Sequence, residues 1–224
     1  MPKVLITGGT GFVGHWMKHT APAEMELVCI GRAEYNLWYW HKVKWDYIVH
    51  LAPIDPAKVL ECAGNHTRVL YASSGIIYHP ENDTQYRRDK MAWEQACLDS
   101  GAEVVIARLF TFYGDKLDGN KAYTAFSQAA KCGTPLEIWG DGNTVRSYMH
   151  GSEMGCWLWA ILLKGKRGEA YDVGSDDPIT MAELANNLVD KYQSESLIIR
   201  KYNKEPMPYY MPKNTAKTRK LLTV

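Results

Sequence analysis

The chain has 224 residues, 46% of them hydrophobic and 23% charged, with a formal net charge of +1. That length holds one sizeable core, or one core with a small second lobe folded onto it. So neutral a balance argues against nucleic acid or an acidic membrane as partner. No apolar run approaches the roughly 20 residues of a membrane span, and "MPKVLITGG" enters a strand without the layout of a signal peptide, so a cytoplasmic protein is expected.

Lys3 to Thr7, "KVLIT", is a short β-rich run, and "FVGHWMKHT" beyond it has helical spacing until Pro22 stops it. Between them "TGGTGFVG" places Gly8, Gly11 and Gly14 three apart at the junction of strand and helix. Gly8 permits the tight turn, Gly11 lets the backbone approach a pyrophosphate, and Gly14 lets the helix pack closely on the sheet. The helix N-terminus then offers free N–H groups to the phosphates. The loop, with Thr10, Phe12 and Val13 between its glycines, predicts a dinucleotide site; the alternative is a glycine-rich turn with no ligand. His15 and His19 stand one helical turn apart, but no glutamate lies between them and no third ligand is evident, so packing or surface histidines are expected and no metal.

"ELVCI", "YIVHL", "RVLYAS" and "EVVIARLF" follow as near-continuous apolar runs separated by helical or turn segments, the pattern of parallel strands buried on both faces. A doubly wound α/β sheet is therefore expected. Beyond Phe110 the texture changes to a loop and helix to Pro135, then "LEIWGDGNTVRSYMHGSEM", read as two short strands around a glycine-rich turn. The apolar helix "EMGCWLWAILLKG", the strand "AYDVGS", a helix opened by a capping box from Thr180 to Glu183 and a strand "SLIIRKY" complete the order. The proline-containing tail from Asn203 reads as loop until a short helix near Thr215 to Leu222. Cys29, Cys62, Cys97, Cys132 and Cys156 are odd in number and scattered, which suits buried thiols rather than a disulfide or zinc framework.

Glycines spaced three by three resemble the loop of the extended short-chain dehydrogenase/reductases, the NAD-dependent epimerase/dehydratase group that modifies nucleotide sugars. The resemblance recurs in order along nearly the whole chain. "YIVHLAP", with Leu51 and Ala52, is similar to that family's "HxAA" segment, "YASSGIIYH" to its "SSxxVYG", and "YRRDKMAWEQ" to its "YxxxK" helix. "RLFTFYG", "GDGNTVRSYMHGSEM", "AYDVGS" and "MPKNTAKTRKLL" are similar to later motifs. The resemblance implies a Rossmann-like sheet with a small C-terminal substrate-binding lobe. Residues 1–112 would form the dinucleotide-binding core, completed by parts of 144–175, and 113–224 mainly the substrate lobe. A homodimer is also implied. Arg32 stands where an NAD-preferring member carries an acidic residue on the ribose hydroxyls. An arginine there can pair with a 2′-phosphate, which leans toward NADP, or stack on adenine and leave NAD in use. Asn36 stands where the family often has an aspartate that contacts adenine.

Tyr86 and Lys90 share a helix face at i and i+4. A phenol of pKa about 10 is a poor base at neutral pH, and a nearby ammonium stabilises its phenolate. Spacing alone is weak evidence, because Tyr209 and Lys213 repeat it in "YYMPK", where Pro208 and Pro212 prevent a regular helix. The resemblance assigns Tyr86 as acid/base, Lys90 to the phenol and the nicotinamide ribose, and Ser74 to the reacting sugar oxygen, with Ser73 the neighbouring candidate. It further implies that Arg146 binds the substrate diphosphate and that Thr111 lines the substrate site, while Arg108 holds a strand end.

The chain departs from the family pattern in places. Only seven residues separate Tyr78 from Tyr86. Thr111 replaces an asparagine, His79 a glycine and Asp89 a serine, and Gly75, Ile76 and Ile77 follow Ser74 where dehydratases carry an acidic set. Epimerisation or 4-ketoreduction of a nucleotide sugar with NAD or NADP is therefore expected over dehydration. The alternatives are a catalytically silent dinucleotide-binding sensor or assembly subunit, and a reductase of small non-sugar carbonyls.

Overall fold

The computed structural model describes residues 1–31, 40–116, 121–202 and 209–223. Six parallel strands make the central sheet: β1 (Lys3–Thr7), β2 (Glu26–Ile30), β3 (Tyr47–His50), β4 (Arg68–Ser74), β5 (Glu103–Leu109) and β10 (Ala170–Val173), in the spatial order β10-β5-β4-β3-β1-β2. Every one of these strands corresponds to a strand read from the sequence, the first five as apolar or β-rich runs and the sixth as "AYDVGS". The alternation within each run decides which residues meet which layer. Val4, Ile6, Leu70 and Val105 face the helices Phe12–His19 and Gly151–Lys164, whereas Leu5, Val69, Tyr71 and Ile106 face the helices Ala57–Leu60 and Gln85–Asp99. Burial on both faces is what a parallel sheet requires. The chain leaves β1 for β2 on one side and resumes at β3 on the other, so the order reverses between β1 and β3. Their C-terminal ends open into the crevice where ligands of such sheets sit.

A third cluster joins Phe126 of the helix Ala122–Cys132, Leu184 and Leu188 of the helix Met181–Lys191, and Leu136 and Ile138 of β7 (Leu136–Trp139). The latter helix opens with the expected capping box: Thr180 Oγ1 accepts from the Glu183 N–H at 3.1 Å, and Glu183 Oε2 accepts from the Thr180 N–H at 2.8 Å.

Two readings of the C-terminal half need correction. The stretch Leu136–Met154 holds three short strands before its helix, and they do not pair with one another. β7 pairs in parallel with β12 (Ile198–Lys201), and β9 (Met149–His150) with β6 (Phe112–Tyr113). β8 (Val145–Arg146) lies between β11 (Ile179–Thr180) and β13 (Tyr209–Tyr210). Pairing with β12 buries Leu136 and Ile138, a gain that a local hairpin would forgo. The tail is not loop up to its helix either, because Tyr209–Tyr210 forms β13 before the helix Thr215–Arg219. Among the described residues no helix is long and apolar enough to cross a membrane.

Candidate active site

β1 ends at Thr7 and the chain turns at Gly8, whose φ is +70° and where a Cβ would stand 2.9 Å from the Ala52 nitrogen. Only glycine meets both conditions. At Gly14 a Cβ would come within 2.5 Å of the Gly9 Cα, so the bare helix turn lies directly on the loop. Gly11 caps the helix Phe12–His19 without a side-chain hydrogen bond, and no acidic residue occupies the first turn. The positive end of the helix is thus directed at a trough of about 570 Å³ lined by Gly8, Thr10, Gly11, Phe12, Val13, Leu51 and Ala52. Gly14 packs beneath it. Gly31, Pro53 and Ile54 also line the trough and were not foreseen from the sequence. Arg32 and Asn36 lie outside the described residues.

The opposite wall of the trough is fixed by His50, which is fully buried. Its Nε2 donates to the Ile54 carbonyl at 3.1 Å, which leaves Nδ1 to accept from the Thr7 hydroxyl at 2.7 Å. Burial lowers the pKa of this imidazole to about 4, so it is neutral and ties the Ile54 end of the turn to the end of β1.

The trough continues past Phe12, Val13, Leu51 and Pro53 into a larger cavity of about 1010 Å³. Ser74 stands at the end of β4, where its Oγ accepts the Ile76 N–H at 3.3 Å and caps a short 3-10 turn, Gly75–Tyr78. Thr84 caps the helix Gln85–Asp99 by accepting the Arg87 N–H at 3.2 Å, which brings Tyr86 and Lys90 onto the cavity wall. Tyr86 is 49% exposed and Lys90 only 3%, with Lys90 Nζ 5.8 Å from the Tyr86 ring centroid. Lys90 donates to the Ala72 carbonyl at 2.8 Å and to the Tyr71 hydroxyl at 3.3 Å, keeping a third N–H for a ligand. Burial lowers its pKa to about 8, against the opposing pull of Glu94. Ser74, Tyr86 and Lys90 thus share one cavity. Neighbouring Ser73 also lines it, with an Oγ that is buried and without a hydrogen-bond partner.

Thr111 and Arg146 line the same cavity. Arg146 is carried on β8 with Nη1 donating to the Val145 carbonyl at 2.7 Å, and burial lowers the pKa of its guanidinium. Lys121 joins Arg146 and Lys90 in the lining, while Glu137 is the one carboxylate among the described lining residues and pairs with Lys201 at 3.3 Å. Such a cavity favours an anionic ligand. Arg108 lies elsewhere: it holds both carboxylate oxygens of Glu94, at 3.0 and 2.7 Å, and donates to the Tyr78 hydroxyl at 2.7 Å, a structural tie at the strand end.

Sequence reasoning missed Tyr210. Its hydroxyl reaches 3.2 Å from Ser74 Oγ across 136 positions of chain. No local pattern marks it; its neighbour Tyr209, half of the repeated tyrosine-lysine spacing, is instead 53% exposed.

The sequence profile of the NAD dependent epimerase/dehydratase family matches residues 4–174, most of the chain and all of the trough's described lining. The chain belongs to this family. Among relatives of the family member described here, UDP-glucuronic acid decarboxylase 4 of Arabidopsis thaliana is 22% identical over 284 residues, an alignment covering 98% of this chain. The chain spans 64% of that relative's length. Two solved structures share the fold. The dTDP-glucose 4,6-dehydratase of Bacillus anthracis, in complex with NAD, superposes with a TM-score of 0.83 at 18% identity, covering 99% of this chain and 90% of its own. RMD of Pseudomonas aeruginosa, complexed with NADPH, superposes with a TM-score of 0.80 at 21% identity, covering 99% and 92%.

Proposed function

We propose that this family member is a nucleotide-sugar epimerase or 4-ketoreductase that uses NAD or NADP, with Arg32 favouring NADP. The observation that carries the reading is the continuity of the trough with a cavity that Ser74, Tyr86 and Lys90 share and that Arg146 and Lys121 line. The dinucleotide fits the trough because Gly8 and Gly11 present bare backbone and the helix behind them has an uncapped N-terminus. When bound, it supplies the hydride acceptor or donor.

The residues of the chain move and hold the proton. Tyr86 takes the proton from a sugar hydroxyl, or returns it to a ketone, while Ser74 hydrogen-bonds the same oxygen. Lys90 stabilises the phenolate of Tyr86 by its charge and offers its third N–H to the nicotinamide ribose. Arg146 and Lys121 hold the diphosphate. Elimination of water would need an acid beside Ser74. Gly75 and Ile76 supply none, and Glu137 is engaged with Lys201.

The test is turnover of UDP- and dTDP-linked 4-keto sugars and hexoses with NADPH or NADH, wild type against Tyr86→Phe, alongside mass identification of any co-purified dinucleotide. Turnover should fall about 10²- to 10⁴-fold in the variant with dinucleotide affinity within a few-fold. Wild-type activity retained by Tyr86→Phe overturns the assignment. Tight dinucleotide binding with no turnover across the panel points to a silent sensor instead.

A further inference from the structure

We infer that Tyr210 is a positioning residue for Ser74, an inference that rests on the reading of Ser74 as the residue facing the sugar oxygen. β13 pairs with β8 so that Tyr210 stands opposite Arg146, and the tyrosine ring reaches back over the cavity to the Ser74 turn. Its hydroxyl has two partners: the Leu109 carbonyl at 3.3 Å and Ser74 Oγ at 3.2 Å. The carbonyl only accepts, so Tyr210 donates to Leu109 and its oxygen accepts from Ser74, whose own oxygen accepts the Ile76 N–H.

The arrangement can also reverse without moving any heavy atom. If Tyr210 turns its proton from Leu109 to Ser74, the Ser74 proton is released toward the cavity. Ser74 can then donate to the sugar oxygen, which as an alcohol gives its one proton to Tyr86 and as a ketone accepts from both residues. No proton leaves either residue.

The surroundings hold Tyr210 in place. Its ring centroid lies 5.1 Å from that of Phe110 and 5.5 Å from that of His79, the residue that stands where the family resemblance calls for glycine. The guanidinium carbon of Arg146 lies 5.9 Å from the ring centroid. The far end of the Ser74 turn is tied to the same C-terminal segment. Asp172 accepts the Tyr78 hydroxyl at 2.9 Å and the N–H groups of Lys213 and Asn214 at 2.8 and 3.0 Å. Burial raises the Tyr210 pKa to about 12, which keeps its proton available throughout the neutral range.

Two measurements on Tyr210→Phe test the inference, with the exposed Tyr209→Phe as control. Amide hydrogen exchange at Ile76, read on the intact chain without substrate, should rise about fivefold in Tyr210→Phe and stay unchanged in Tyr209→Phe. With a turned-over keto sugar, kcat should fall about tenfold with KM within about twofold, and Tyr210→Phe should cost nothing further in a Ser74→Ala background. Unchanged exchange at Ile76, an equal change in Tyr209→Phe, or full additivity with Ser74→Ala overturns the inference. If the wild type turns over no sugar while exchange at Ile76 rises, the enzymatic reading fails and the Tyr210 tie to Ser74 stands.

Discussion

The trough and the cavity beyond it are built by opposite means. The trough is backbone: a continuous loop from Thr7 to Gly14 faces the Leu51–Ile54 turn, and side chains mostly serve to stay out of the way or, as at His50, to pin the turn from behind. The cavity is side chains, assembled from the ends of β4 and β5, the helix Gln85–Asp99, β8 and β13. A surface made of main chain suits a ligand part that never varies, such as a pyrophosphate. One made of side chains from distant segments can be re-cut without disturbing the sheet.

If that contrast is right, the trough should be intolerant of added atoms and the cavity tolerant of lost ones. The largest effect is expected for Gly8→Val, where a side chain meets the Ala52 nitrogen in a left-handed backbone conformation. Dinucleotide affinity by calorimetry should fall about a hundredfold or more; near wild-type binding would break the comparison. Next comes His50. Its folded pKa of about 4 lies below the ordinary 6.5, so between those values the unfolded chain holds the extra proton. Stability is therefore lost as pH falls through that window, by about 3 kcal/mol from this group. Denaturant titrations should show that loss in the wild type and a flatter profile in His50→Gln. In the cavity, Arg146→Ala should weaken UDP binding about ten- to thirtyfold while dinucleotide affinity stays unchanged; an equal loss of both would merge the two regions into one site. The smallest effect concerns Lys90, which loses its proton above about 8. Its donors to the ribose weaken with it, so dinucleotide affinity should fall a few-fold from about pH 7 to about pH 9 in the wild type and stay flat in Lys90→Met.

The same contrast explains what could be read from the sequence. The sheet strands announce themselves because burial on both faces demands unbroken apolar runs such as "KVLIT" and "RVLYAS". The glycine loop is legible because its turn and close packing are carried by a contiguous spacing. Ser74, Tyr86 and Lys90 were legible through motif resemblance, and their convergence needed only one strand end and one helix. The pairing of the short strands of the C-terminal half was not. β7 finds β12 and β8 finds β13 across some sixty residues of intervening chain, and two-residue strands carry no periodicity of their own. Tyr210 belongs to that class, since its partner Ser74 lies 136 positions away. The seven residues between Tyr78 and Tyr86 form a short loop. That loop carries Asn82 and Thr84 to the rim of a cavity of about 1010 Å³.

The close fit at Gly75 bears on how this chain could change its chemistry. A Cβ there would fall 2.3 Å from the Phe110 ring. An acidic side chain at position 75, next to Ser74, would therefore need space that the Phe110 ring now fills. The Phe110 ring would have to shift or shrink, and it also packs against Tyr78 and Tyr210, so the change would reach the Ser74 turn. Positions 75 and 110 are thereby coupled: a side chain at one requires a smaller or displaced ring at the other.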